Sequence, residues 1–181
     1  RVERDAVEPD HFARWIDWAK DRKIGNKLAN ARGETVNEKP SFREAFRQRR
    51  CIVPADGFYE WHKEESGPKT PYFISRADDQ PMAFAGLWEN WHDKETDIDV
   101  QTATVITMPA SPFMSALHHR MPVILRPETY DAWLEPTIQA TEQLTPLLGP
   151  CPASWLTSHP VDPRVGSPAF DDPRCLMPWG G

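Results

Sequence analysis

Nineteen of the 181 residues are proline. A proline fixes its own φ, has no N–H to donate and pushes the preceding residue out of the helical region. A chain punctuated this often cannot build long helices. Short elements joined by fixed turns are the expectation. No apolar run approaches the roughly 18 residues of a membrane span, and no signal-peptide pattern opens the chain, so no membrane contact is expected. Cys51, Cys151 and Cys175 stand at unrelated spacings. Three unmatched thiols fit a reducing, cytoplasmic compartment better than a disulfide framework. A chain of this length is expected to fold as one domain over residues 1–181, with a single core and as a monomer.

Hydrophobic spacing supplies the element order. Phe12, Trp15, Ile16 and Ala19 follow Asp10 at helical intervals and predict an amphipathic helix over residues 10–22. Residues 41–49 predict a second helix. Phe42, Ala45 and Phe46 form its buried face, Ser41 and Glu44 have capping-box spacing, and Arg43, Arg47 and Arg49 line the other face. From Cys51 the texture turns to β. Cys51-Ile52-Val53 is an apolar run stopped by Pro54, Asp56-Gly57 turns into Phe58–His62, and Ser66-Gly67-Pro68 turns into Pro71–Ser75. Met82–Trp88 and Val100–Thr107 predict interior strands, with the acidic stretch 93–99 as an exposed hairpin loop between them. A helical turn at Ser111–Leu117, a strand at Met121–Leu125, helices at Glu128–Leu134 and Ile138–Leu148, and a strand near Trp155–Ser158 complete the order. The class is α+β: a mainly antiparallel, barrel-like or bifurcated β-sheet with short peripheral helices.

The net charge of −6 argues against nucleic acid until its distribution is followed. Residues 14–50 hold eleven Lys/Arg and five Asp/Glu, while the remainder holds ten against twenty-two. A locally basic segment on an acidic body can track a phosphate backbone while the rest repels it. The plainer reading is a solvated helix surface. Eight tryptophans divide in the same way: most fill a core, and some can be stacking surfaces.

Three short motifs carry groups able to do chemistry. In Gly57-Phe58-Tyr59-Glu60-Trp61, strand alternation places Phe58, Glu60 and His62 on one face and Tyr59 and Trp61 on the other. A carboxyl beside Phe58 is partly desolvated, which raises its pKa towards the range a proton shuttle needs. The competing reading is a solvent-facing strand glutamate. In His118-His119-Arg120-Met121-Pro122, an extended backbone points His118 and Arg120 the same way. Imidazole passes protons near neutral pH and the guanidinium can hold a phosphate. The plain alternative is one surface histidine and one structural one. Asn30 and Arg32 in Asn30-Ala31-Arg32-Gly33-Glu34-Thr35 repeat the spacing. The amide can hold a reaction intermediate and the arginine a second phosphate, whereas a turn asparagine near a surface ion pair needs no function at all.

Other chemistries fit less well. His92, His118, His119 and the cysteines lack metal-ligand spacing, so no metal is expected. A Cys51–His118 nucleophile pair is conceivable, but Cys51 opens an apolar run and reads as a buried, inert thiol. There is no glycine-rich phosphate loop and no nucleophile elbow, and no cofactor is expected.

The three motifs, in this order and with Cys51-Ile52-Val53-Pro54-Ala55-Asp56 leading into the second, resemble the SOS-response-associated peptidase (SRAP) family of abasic-site processing proteins. The likeness runs from about Trp15 to Pro178 and includes Trp18-Ala19-Lys20-Asp21, Glu38-Lys39-Pro40, Pro71-Tyr72-Phe73, Phe84-Ala85-Gly86-Leu87-Trp88-Glu89 and Arg164-Val165-Gly166-Ser167. The resemblance implies binding of single-stranded DNA containing abasic sites, and association with the nucleoid when bound. It implies a covalent thiazolidine link between an N-terminal cysteine and the ring-opened sugar aldehyde, which is a crosslinking or lyase-type activity. It also implies autopeptidase activity on the protein's own N-terminus. By the same resemblance Asn30 stabilises the adduct, and Glu60 and His118 move protons. Arg32, Arg120 and Thr107 contact DNA, and Trp61 helps wall the pocket. Two features depart from the family. Arg1-Val2-Glu3-Arg4 stands where the family begins Met-Cys-Gly-Arg, so the N-terminal segment is expected to be missing from this polypeptide. Arg14-Trp15-Ile16-Asp17-Trp18 replaces the family's Trp-Gly-Leu-Ile-Pro lead-in. A non-covalent single-stranded DNA module is the alternative for this chain, and a thiol autopeptidase is the third reading.

Overall fold

The computed structural model describes residues 28–93 and 96–180, so the helix expected over residues 10–22 lies outside them. Among the described residues, eight strands and three short α-helices alternate with 3₁₀ turns. The strands are β1 (Asn30–Arg32), β2 (Arg50–Ala55), β3 (Gly57–His62), β4 (Thr70–Arg76), β5 (Met82–Asp93), β6 (Ile98–Pro109), β7 (Arg120–Pro122) and β8 (Leu156–Pro160). The helices are α1 (Arg43–Gln48), α2 (Tyr130–Leu134) and α3 (Thr141–Leu144). The class is α+β with mostly antiparallel pairing. The strands divide between two sheets, and neither closes into a barrel. Among the described residues no helix is long and apolar enough to cross a membrane.

Two compact units are distinguished. Of the described residues, the first comprises 28–53, Phe84–Met108 and Pro122–Gly149. Its sheet follows the path β1-β6-β5-β2. β5 and β6 form a long antiparallel hairpin whose register runs from Gly86↔Val105 to Asp93↔Ile98. β1 adds in parallel, pairing Asn30 with Val105 and Arg32 with Thr107. The acidic stretch expected as a hairpin loop does lie between β5 and β6, with residues 96–97 in a turn, while Asp93, Ile98 and Asp99 at its ends join the strands. His92 sits opposite Asp99, with Nδ1 2.9 Å from Oδ1, a cross-strand pair that carries the ladder outward. Proline does not stop β2 at Val53. β2 is an edge strand, where an absent N–H leaves no central ladder bond unmade.

Helix α1 buries Ala45 and Phe46, as its spacing requires. The capping box does not form. The helix begins one residue later than its signal, with Phe42 at the N-cap and no side-chain cap bond. Backbone turns take that role: the carbonyl of Lys39 accepts from both Phe42 N and Arg43 N at 2.9 Å. The core of this unit joins Phe46 to Trp133, with ring centroids 6.0 Å apart and both side chains fully buried. The helix expected over residues 138–148 is shortened to α3 and finished by a 3₁₀ turn, Thr145–Leu148, with Pro146 in its first positions.

The second unit comprises Pro54–Ala83, Pro109–Met121 and, of the described residues, 150–180. Its antiparallel sheet has the order β3-β4-β8. Gly57 opens β3 because nothing larger fits: an added Cβ would lie 2.4 Å from both Ile74 O and the Phe73 ring. The repeated Asp162-Pro163-Arg164 and Asp172-Pro173-Arg174 explain part of the proline content. Each aspartate caps a 3₁₀ turn with proline at its start, accepting at 2.9 Å from the arginine two residues on. Phe170 stacks against both guanidiniums, 4.3 Å from Arg164 and 5.5 Å from Arg174.

Candidate functional site

In the second unit, β3 presents Glu60 on the face opposite Tyr59, whose ring packs on Phe73 at 5.3 Å and whose hydroxyl donates to Cys175 O at 3.2 Å. His118 reaches the site from a 3₁₀ turn at Met114–Ala116. The turn is anchored by fully buried Met114, whose N–H bonds Ser111 Oγ at 3.3 Å and whose carbonyl accepts from His118 N at 2.9 Å. The result is a contact across 58 positions of sequence: His118 Nδ1 stands 3.5 Å from Glu60 Oε1, ion-pair reach though longer than a good hydrogen bond.

The same Nδ1 lies 3.1 Å from Arg120 O and 3.3 Å from Arg120 N. The shorter carbonyl contact and the nearby carboxylate both favour a proton on Nδ1. That tautomer, assigned from its partners, leaves the Nε2 lone pair available as a base. The His118 and His119 rings lie 4.3 Å apart. Burial pushes the Glu60 carboxyl up from its ordinary value, against the downward pull of His118, a Trp61 backbone hydrogen bond and Lys69. A carboxyl displaced in that direction beside an imidazole can exchange protons near neutrality. Trp61 is exposed, on the face of β3 away from Glu60, with its ring 6.5 Å from that of Tyr59.

In the first unit, Ala31 is fully buried, so alternation turns its neighbours Asn30 and Arg32 to the other, exposed side. Thr107, the register partner of Arg32, shares that side. Its carbonyl receives Gly33 N at 2.8 Å, and a Cβ on Gly33 would meet it at 3.3 Å, so β1 is closed off tightly against β6. Asn30, Arg32 and Thr107 thus belong to one unit, and Glu60, Trp61, His118 and Arg120 to the other. Burial pushes the Cys51 thiol up to about 12, which suppresses the thiolate a nucleophile needs. Among the described residues no group of three histidine, cysteine or acidic side chains stands together to hold a metal.

Two residues escaped the sequence reading. Lys69 acts on Glu60 from the start of β4, beside Thr70, which pairs with His62; only the turn at residues 66–68 hinted at that proximity. Trp88 was expected inside an interior strand, yet 38% of it is exposed. Periodicity could not show this, because Met82, Phe84 and Gly86 on the same face of the strand are buried and only its outer end opens.

Comparison with known proteins points one way. The family model described as SOS response associated peptidase (SRAP) matches residues 3–168. Abasic site processing protein YoqW of Bacillus subtilis is 42% identical over 159 residues, covering 88% of this chain and 70% of its own. Abasic site processing protein HMCES of Gallus gallus is 32% identical over 184 residues, 91% of this chain and 54% of its own. A crystal structure of a protein from Bacteroides thetaiotaomicron superposes with a TM-score of 0.85 at 29% identity, across 92% of this chain and 74% of that one. With a family model spanning nearly its whole length and relatives this similar, the chain belongs to the SOS response associated peptidase (SRAP) family.

Proposed function

We propose that the protein recognises abasic sites in single-stranded DNA and, in its complete form, links to them covalently through an N-terminal cysteine. The observation that carries this reading is the Glu60–His118 pair at 3.5 Å, with burial holding the Glu60 carboxyl up. The names of the relatives, abasic site processing proteins, support the substrate.

The chemistry balances without an oxidant or reductant. The α-amine adds to the sugar aldehyde, and water leaves as the imine forms. The thiol sulfur then adds to the imine carbon while its proton passes to nitrogen, closing a thiazolidine. Addition, dehydration and ring closure each need a proton moved. A protonated Glu60 can supply one to the departing hydroxyl, and Nε2 of His118 can take one from the thiol. Asn30 is assigned to holding the adduct. Arg32, Arg120 and Thr107 are assigned to the flanking phosphates, contacts that position without reading sequence. Trp61, turned from Glu60 by alternation, suits a flanking base better than the pocket wall. An abasic nucleotide is already unstacked, so drawing it into a site costs less than flipping an intact base.

The test is a denaturing gel of protein with a processed native N-terminus mixed with abasic single-stranded DNA. A heat-stable shifted band is expected. Glu60→Gln and His118→Ala should each slow its appearance by roughly a hundredfold or more, with DNA affinity within about twofold of wild type. Wild-type protein that binds but never shifts the band would leave only the non-covalent module. Variants that crosslink at the wild-type rate would remove Glu60 and His118 from the chemistry.

A further inference from the structure

We infer that Trp88 is a stacking platform for a base of the bound single strand, on the sheet face that carries Asn30 and Arg32. The inference rests on the proposed DNA reading and adds a contact that no motif supplied.

Residues paired in register point to the same side of a sheet, and so do residues two apart. Asn30 pairs with Val105 and Arg32 with Thr107. Val105 pairs in turn with Gly86, and Ala103 with Trp88. These steps place Asn30, Arg32, Thr107 and Trp88 on one face. The other face carries Ala31, Leu87, Thr104 and Ile106, all fully buried. On the face bearing Trp88, Ala103 and Val105 are buried too, but Asn30, Arg32, Trp88, Asn90 and Gln101 are exposed, so this is the face that reaches solvent around the indole.

Its neighbours leave the indole open. Ala103 lies directly across the ladder and Gly86 two residues along the strand, so no large side chain from either position covers the ring. Gly86 cannot readily enlarge, since an added Cβ would stand 2.9 Å from both Cys51 Sγ and Val53 Cγ2. Trp88 keeps 38% of its surface exposed. Every base has a π-face, so an exposed indole can receive one without regard to sequence.

The charge on this face suits a polyanion. Arg32 supplies a cation, and the next pair beyond Trp88, Asn90 and Gln101, is exposed and uncharged. On this face of the described ladder the acidic side chains begin only at Asp99, Glu89 lying on the opposite face. Two strand spacings and two residues of rise put Trp88 about 12 Å from Asn30 by ladder geometry. Arg32 is about 16 Å away on the same count. Both distances fall within a site of a few nucleotides.

The experiment measures equilibrium binding of the full chain to two probes, each with a central abasic site. One is oligothymidine. The other replaces the flanking thymidines by base-free deoxyribose phosphates. Trp88→Ala should weaken binding to the first roughly tenfold and leave the second within twofold of wild type. Trp88→Phe, which keeps a flat ring and controls for folding, should retain most of the affinity for oligothymidine. Arg32→Ala should weaken both probes alike. If Trp88→Ala binds oligothymidine as tightly as wild type while Arg32→Ala loses both probes, the DNA reading stands and the stacking role is overturned, leaving the face to a protein partner. If the wild-type chain binds neither probe, both fall.

Discussion

A carboxyl that burial pushes up from its ordinary value destabilises the fold whenever it ionises. Glu60 is such a group. Its folded form holds the proton more tightly than the unfolded chain does. Between the ordinary glutamate value and the raised folded one, the native state binds more protons, so stability falls as pH rises through that window. Glu60→Gln removes the ionisation and keeps the shape. The variant should match wild type in thermal melts near pH 4 and melt at a higher temperature at pH 8, while losing crosslinking. A melting temperature at pH 8 no higher than wild type would show that the His118 contact fully offsets burial. Residue chemistry of this kind was partly legible in the sequence. Phe58 beside Glu60 signalled desolvation, and the apolar run around Cys51 signalled an inert thiol. The contact with His118 was not legible, because nothing in a 58-residue separation encodes which loop returns to which strand.

At the scale of elements, Arg50 does what no motif announced. It is 7% exposed, at the start of β2, and its guanidinium serves the last turns of two helices. It donates to Phe46 O at 2.9 Å and to Arg47 O at the end of α1. It also donates to Trp133 O at 2.6 Å and to Glu135 O at the end of α2. Helix C-termini leave carbonyls without intrahelical partners, and a fork of five N–H donors suits several at once. Trp133 returns the tie, donating from Nε1 to Cys51 O at 2.8 Å. Arg50→Met should cost about 2–4 kcal/mol, since buried carbonyls lose their donors. Arg50→Lys should recover only part of that. Urea denaturation measures both, and a loss below about 0.5 kcal/mol would mean that water replaces the guanidinium. The sequence showed Arg50 only as the end of a basic run. What it did show at this scale was periodicity: the buried face of α1, the β3 strand with its turn, and both arms of the β5–β6 hairpin. It misplaced boundaries where tertiary context overruled a local signal, as at Pro54 on a sheet edge and at the ends of the acidic stretch, where Asp93, Ile98 and Asp99 extend the ladder. The parallel pairing of β1 with β6 left no trace in either segment.

For the whole molecule the governing quantity is charge. The chain is acidic, at −6, yet the proposed reading asks it to hold a polyanion. The conflict resolves if few cations do the holding. Each phosphate neutralised on a single strand contributes about −0.7 to the slope of log affinity against log salt. If Arg32 and Arg120 are the phosphate contacts, the slope should be about −1.4, and affinity should fall only roughly sevenfold between 50 and 200 mM salt. Removing either arginine should halve the slope to about −0.7. The exposed Arg43 and Arg47 on α1 offer the competing outcome, because their engagement would steepen the slope to about −2.8. A shallow slope is also what a lesion binder on an acidic body requires. Long-range repulsion from the rest of the surface weakens attachment to undamaged strands, so the affinity that remains must come from groups at the lesion itself. A titration of abasic oligothymidine across that salt range, with wild type and the two single arginine variants, distinguishes the two sets of contacts by slope alone.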